Sequence, residues 1–450
     1  MSGYLLHDEA MLSQIARDAV AHARRLGFDQ SVCVAREFAG LTIKVKDGRP
    51  ETAVRDGGQS VSVTVFDGGR TGTAGTSTLT PQAIHTAVER AVAIARQVES
   101  DADAGCADPE WLARNGREVE LYAPSGLSAA DIAAAAKAIE DAALAASAAR
   151  PVRIMEAGAT SHDSRWARAI GADFCRSASA SNQSRWCVAI AERDGAMSRA
   201  AWRSVERRTD HLLAAETIGA TAVAHAVRKL GARAVATQAA PVLLDAAIAG
   251  SLVREFCGGL FGAAQHQKST VLADAMGRRA LAAHLDLVED PFEPFGMASG
   301  GCDGEGVAGM HRFVVREGVV EGYFLSSRWA RKLGLRSTGN ADGTWNLFLT
   351  SRLAGKADDT AAMLRRLDRG LWVTEFLGGR CDPVTGTYSK AVAGFWVEDG
   401  EVVFPVQDVT IAGDLATMLG HIRFVGSDVY RDGAVRTGAI LLDDMKIAGC

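Results

Sequence analysis

Leu41-Thr42-Ile43-Lys44-Val45-Lys46-Asp47-Gly48 and Ser60-Val61-Ser62-Val63-Thr64-Val65-Phe66-Asp67-Gly68-Gly69 alternate apolar and polar side chains with period two. That period marks strands with one buried face. Each stretch closes on Asp-Gly, residues that tolerate positive φ and so favour a tight hairpin turn. The same grammar returns at Phe313-Val-Val-Arg-Glu-Gly-Val-Val320, at Phe395-Trp-Val-Glu-Asp-Gly-Glu-Val-Val-Phe404 and at Val429-Tyr-Arg-Asp-Gly-Ala-Val435. Strands joined by tight turns are antiparallel, which predicts an α+β fold rather than a doubly wound parallel sheet.

Outward from these strands, helical spacing predicts helices over 8–26, 80–97 and 128–148, and another over 210–230. The first carries Met11, Ile15 and Val20 on one side, and the second opens on Thr80-Pro81. The third opens on Ser128 with Asp131 three residues on, close to a capping box. A chain of 450 residues is too long for one core. The layout predicts an N-terminal helix and antiparallel-sheet domain, 1–230, followed by a β-rich C-terminal domain with hairpins, 231–450.

An apolar fraction of 48% and a charged fraction of 23% belong to a globular protein. The net charge of −5 supplies no basic field for nucleic acid or an anionic membrane, so neither partner is expected. The first ten residues include acids where a secretory signal needs a basic segment. No run of about 18 apolar residues occurs to span a bilayer. The eight cysteines include no Cys-x-x-Cys pair. Together these predict reduced thiols and a cytoplasmic location.

Hydrolytic chemistry is hard to find. The ten histidines are never within ten residues of one another, so no His-Glu-x-x-His metal site exists. Neither a Gly-x-Ser-x-Gly elbow nor a phosphate-binding loop occurs. The glycines of Gly300-Gly-Cys-Asp-Gly-Glu-Gly306 lack the strand and helix that flank a dinucleotide site.

Several segments in fixed order carry a resemblance. They include Phe66-Asp-Gly-Gly-Arg-Thr-Gly-Thr-Ala74, Ala107-Asp-Pro-Glu110, Leu287-Val-Glu-Asp-Pro291 and Asp303-Gly-Glu-Gly306. They continue through Gly322-Tyr-Phe-Leu-Ser-Ser-Arg-Trp-Ala-Arg-Lys-Leu-Gly334, Ser337-Thr-Gly-Asn340 and Thr385-Gly-Thr-Tyr-Ser-Lys-Ala-Val-Ala-Gly394, and end in Phe404-Pro-Val-Gln-Asp408. Together they resemble the TldD/PmbA metallopeptidase family, specifically its PmbA (TldE) branch.

Catalytic members carry His-Glu-x-x-x-His on a helix and a cysteine in a late loop. Two imidazoles and a thiolate would leave one zinc position open for water, with the glutamate as base. The matching stretch here is Leu252-Val-Arg254-Glu255-Phe-Cys257-Gly258-Gly259. Arg254 and Gly259 stand at the histidine positions, only Glu255 remains, and the late loop at 429–439 has no cysteine. An arginine stays protonated and repels a divalent cation. The resemblance therefore implies a chain without a metal of its own, zinc being expected only in the catalytic partner. Two further departures from the branch are Cys302, where Phe-Asp-Asp-Glu-Gly is usual, and Cys450.

Other readings of these residues are open. Glu255 is either a remnant base or a carboxylate paired with Arg254 or another cation. Cys257 has no histidine nearby in sequence to activate it as a nucleophile. Asp303 and Glu305 either hold a metal or accept backbone N–H bonds in a structural turn. The resemblance further implies a heterodimer with a TldD-like catalytic subunit, or a homodimer when alone, enclosing a chamber in which unfolded peptides are cut. The resemblance also implies a link with modulation of DNA gyrase through toxin and antitoxin processing. Extended peptides would bind by adding a strand to a sheet edge. The alternatives are a homodimeric hydrolase, or a peptide-binding protein acting alone.

Overall fold

The structure is a computed structural model that describes residues 5–148, 151–355 and 357–449. Met1 to Tyr4 and Cys450 lie outside the described residues.

The N-terminal half consists of α1 (Glu9–Arg25), β1 (Gln30–Lys46), β2 (Arg49–Asp67), β3 (Arg70–Thr76), α2 (Pro81–Ala95), α3 (Ala129–Ser147), β4 (Val152–Ile170), β5 (Phe174–Arg193), β6 (Ala196–Glu206) and α4 (Ala215–Arg228). It contains one αβββα unit followed by a second. Their strands join in a single antiparallel sheet of order β3-β2-β1-β4-β5-β6, with β1 and β4 side by side at the centre.

The local chemistry explains the elements. Asp47 and Gly48, at φ 53° and 74°, make the mirror-image turn that fits the twist of β1 and β2. The Ser128 hydroxyl accepts from the Asp131 N–H while the Asp131 carboxylate takes the Ser128 N–H, a complete capping box. Thr80 caps α2 by position alone, without a side-chain hydrogen bond, and Pro81 opens the helix.

All four helices cover one face of the sheet, because the alternate residues beneath them share a parity. Cys33, Ala35, Val63 and Ala169 pack under α1 and α2, and Ala157, Cys187 and Ala189 under α3 and α4. Gly72 lets α2 approach closely: a Cβ there would lie 2.0 Å from the Ala91 carbonyl oxygen. The opposite face turns toward the C-terminal half, where Ile170 and Phe174 pack with Cys302.

The C-terminal half runs β7 (Gln238–Leu244), α5 (Ala246–Gly258), α6 (Gly262–Gln267), β8 (Leu285–Asp290), β9 (Arg312–Arg316), β10 (Val319–Val320), α7 (Ser327–Leu333), β11 (Asn346–Ser351), α8 (Thr360–Leu367), β12 (Gly370–Cys381), β13 (Thr387–Glu398), β14 (Glu401–Asp414), α9 (Leu415–Gly420), β15 (Ile422–Val425), β16 (Val435–Arg436) and β17 (Ile440–Ala448). The α+β class stands, and this half is the β-rich one. One sheet has the order β14-β13-β12-β7-β17-β15, and β14 pairs with β17 as well, which closes a five-strand ring at one end. A second sheet has the order β10-β9-β8-β11-β16. Leu252, Phe256 and Cys257 of α5 enter the large core shared by these sheets.

Most predicted hairpins form: Asp399-Gly400 joins β13 to β14, and Glu317-Gly318 joins β9 to β10. The one predicted at Val429–Val435 does not. There β16 pairs parallel to β11, and Asp432 is drawn to the N-terminal sheet, accepting from Val205 N–H at 3.3 Å and from the Tyr430 hydroxyl at 3.0 Å. Tertiary bonds override the local turn signal.

Candidate functional site

Helix α5 starts at Asp245, whose carboxylate accepts the Ala247 N–H at 3.0 Å. Successive helical residues turn by about 100°, so Arg254, Glu255 and Cys257 face in different directions. Arg254 is exposed, whereas Glu255 is half-buried and faces β13, where its Oε1 lies 2.7 Å from Lys390 Nζ. The other oxygen, Oε2, is buried and accepts no hydrogen bond. Burial, and after it the neighbouring Glu255 carboxylate, pushes the Cys381 thiol up to about 11. Tyr388 is also buried here, its hydroxyl unpartnered and its ring 5.5 Å from Lys390 Nζ.

Cys257 points the other way, into the core, where it is 2% exposed and burial raises its thiol strongly. It remains a thiol, with no histidine to activate it. Gly259 is tightly enclosed: a Cβ would meet Thr270 Oγ1 at 2.6 Å and Leu272 Cδ1 at 2.9 Å. A histidine does not fit that position without displacing both neighbours.

These residues do not fit a zinc ion. At the degenerate positions there is one carboxylate, Glu255, already paired with an ammonium, and an exposed guanidinium. Among the described residues, no group of three or more His, Cys, Asp or Glu side chains is placed to hold a metal.

Asp303 and Glu305 occupy a turn away from α5. Asp303 is 1% exposed, and its carboxylate accepts the N–H groups of Glu305 and Val307 at 2.9 Å, and that of Ala341 also at 2.9 Å. Burial pushes its pKa up to about 6 against the opposing pull of these amides. Its carbonyl oxygen accepts from Arg168 Nη1 of β4 at 2.6 Å. Glu305 Oε2 accepts the Ser327 N–H at 2.6 Å.

Segments far apart in sequence that carry the family resemblance meet in the fold. Glu289 on β8 is fully buried and accepts from Asn340 Nδ2 at 2.7 Å, Trp345 N–H at 2.9 Å and Arg312 Nε at 2.8 Å. Arg331 of α7 donates to the Asp108 carboxylate at 2.7 Å and to the Cys106 carbonyl at 2.6 Å. The residues of these segments thus build the scaffold around α5 and tie the two halves together. Lys390 belongs to the stretch 385–394, and only the fold places it against Glu255.

The comparisons match this architecture. A model described as the PmbA/TldA metallopeptidase C-terminal domain matches residues 237–449, and that of PmbA/TldA metallopeptidase domain 1 matches residues 37–95. The chain is 33% identical over 447 residues to metalloprotease PmbA of Escherichia coli O157:H7, covering 97% of this chain and 96% of that one. Its fold is similar to the crystal structure of a candidate modulator of DNA gyrase from Bacteroides thetaiotaomicron VPI-5482, with a TM-score of 0.89 at 21% identity, covering 99% of this chain and 100% of that one. It is also similar to TldE from Thermococcus kodakarensis, with a TM-score of 0.78 at 18% identity, covering 96% of this chain and 100% of that one.

Proposed function

The chain belongs to the PmbA/TldD metallopeptidase family, and from that premise we propose that it is a non-catalytic subunit of the TldE type. It shapes the chamber in which a TldD-type partner cleaves unfolded peptides in the cytoplasm, with zinc held by that partner. The observation that carries this reading is the pair Glu255–Lys390. Where the catalytic pattern needs two imidazoles around a glutamate, this chain has an exposed arginine, a crowded glycine and an ammonium 2.7 Å from the carboxylate. A cation already sits on the one group suited to act as base.

The name metalloprotease carried by the relative from Escherichia coli favours a second reading, in which the chain hydrolyses peptides itself. The donor set opposes it. No described helix is long and apolar enough to cross a membrane.

The test uses the purified full chain, alone and co-expressed with a paralogue that bears His-Glu-x-x-x-His. Alone, the chain holds no stoichiometric zinc by plasma mass spectrometry and cuts no casein. Together the two chains co-elute and cleave casein in a chelator-sensitive manner. Stoichiometric zinc in the isolated chain, or failure of the two to associate, overturns the proposal.

A further inference from the structure

A groove of about 650 Å³ lies between the outer edge of β6 and the C-terminal half, in the size range of functional clefts. Five consecutive residues of β6, Arg199 to Arg203, line it. Glu156 of β4 and Ser184, Arg185, Trp186 and Val188 of β5 line it as well, so the groove runs over the face of the sheet and out to the edge of β6.

That edge is open. β6 is the outermost strand of its sheet and pairs only with β5. The Val205 N–H points away from β5, since the Asp432 carboxylate takes it at 3.3 Å. By the alternation of an antiparallel ladder, the backbone groups of Arg199, Ala201 and Arg203 share that outward direction. An outward row of donors and acceptors is a template for another strand.

The side chains around the edge define the occupant. Arg199 and Arg203 flank Ala201 on one face, while Trp202 lies on the other, in edge contact with His225 at 5.1 Å and with Tyr430 at 5.9 Å. Arg228, stacked 4.6 Å from the Phe395 ring, borders the groove as well. Of the acids lining the groove, Glu156 is held by Lys44 and Trp186, Glu375 by Lys229, and Asp245 accepts the Ala247 N–H at the start of α5. Asp432 lies 3.9 Å from Arg203. Among the described residues, no carboxylate forms an ion pair with Arg199 or Arg228.

We propose that this groove binds an extended peptide segment as a seventh strand on β6, with acidic side chains alternating with apolar ones. The acids face Arg199 and Arg203, the apolar residues face Trp202, and backbone bonds to the 199–203 edge hold the segment. The site deepens the reading of the chain as a peptide-handling subunit, on which the choice of a peptide rests.

The test measures fluorescence anisotropy of labelled peptides on the isolated full chain, so it needs no zinc partner. The probe is Gly-Glu-Val-Glu-Val-Glu-Val-Gly, compared with its Lys-for-Glu counterpart. Two N-methylated forms, each blocking one alternate set of amides, complete the series. The acidic peptide binds more tightly than the basic one. One N-methylated set weakens it by at least about tenfold, the loss expected for one or two backbone hydrogen bonds, and the other set does not. Ala201→Pro removes one outward donor without touching the pairing with β5 and gives a similar loss. The combined Arg199→Glu and Arg203→Glu variant reverses the charge preference. Equal binding of all N-methylated forms, or an unchanged preference in the charge-reversed variant, overturns the proposal. If Ala201→Pro fails to fold, as judged by circular dichroism, the charge reversal and the N-methylated peptides still decide. Failure here leaves zinc content and co-elution, and so the subunit reading, to stand or fall separately.

Discussion

The Lys390 ammonium and the Glu255 carboxylate, on a strand and a helix, sit 2.7 Å apart with only 15% and 22% of their side chains exposed. An ion pair so enclosed is felt chiefly when one member is removed, because the survivor keeps its charge and loses its partner.

Lys390→Met should therefore lower stability by about 1.5–3 kcal/mol, the range for hydrogen bonds to charged groups. Combining it with Glu255→Gln should recover part of that loss, because the stranded charge is gone. Urea denaturation of both single variants and the double variant measures the coupling directly. Additive losses would mean that the two side chains do not act as a pair.

Placing histidines at 254 and 259 should not create a metal site. In Arg254→His/Gly259→His, the new side chain at 259 runs into Thr270 and Leu272, and Lys390 still occupies Glu255. The expected outcome is a loss of about 1–3 kcal/mol from overpacking, with zinc remaining substoichiometric by mass spectrometry. Tight stoichiometric zinc would refute the crowding argument.

Asp303 gives a pH signature of definite sign. Its folded pKa of about 6 lies above its ordinary 3.8. Between those values the folded chain holds the proton and the unfolded chain does not. The contribution of this site to stability therefore rises as pH falls from about 6 to about 4 and is lost as pH rises through 6. Denaturation at several pH values between 4 and 7 should show the rise in the parent chain relative to Asp303→Asn, which has no carboxyl to titrate. A flat difference would show that the three amide bonds cancel the effect of burial.

Arg331 fastens the connection between the two halves. Besides Asp108 and the Cys106 carbonyl, it donates to the Asp103 carbonyl at 3.0 Å. Arg331→Ala should raise hydrogen–deuterium exchange across residues 101–112 while leaving the helices of the N-terminal half protected. Unchanged exchange there would make the contact dispensable.

Part of this structure was readable from residues in order. Asp47-Gly48 and Asp399-Gly400 specify their hairpins because the turn preference is local, and Ser128 with Asp131 specifies a helix start within four residues. The stretch from Arg254 to Gly259 was equally easy to read in order, since it spans only the end of α5 and its C-cap. What distance hides was not readable. Lys390 reaches Glu255, and Glu289 reaches Asn340, only after strands remote in sequence have paired. The repeated αβββα unit escaped notice because its halves share a pattern of burial and turns while differing in residues. Val429–Val435 misled because Asp432 finds better partners on another sheet than in its own turn.

The closure of the ring by β17 imposes an order on biosynthesis. β7, at 238–244, needs β17, at 440–448, as one of its two neighbours. At translation rates of about 5–20 residues per second, β7 waits roughly ten seconds or more after leaving the ribosome for that partner. The N-terminal sheet has no such dependence, since all its strands are made by residue 206. A nascent chain stalled before 440 would thus expose Val242 and Leu244 beside an already finished N-terminal half, which makes the late emergence of one strand the step most in need of a chaperone.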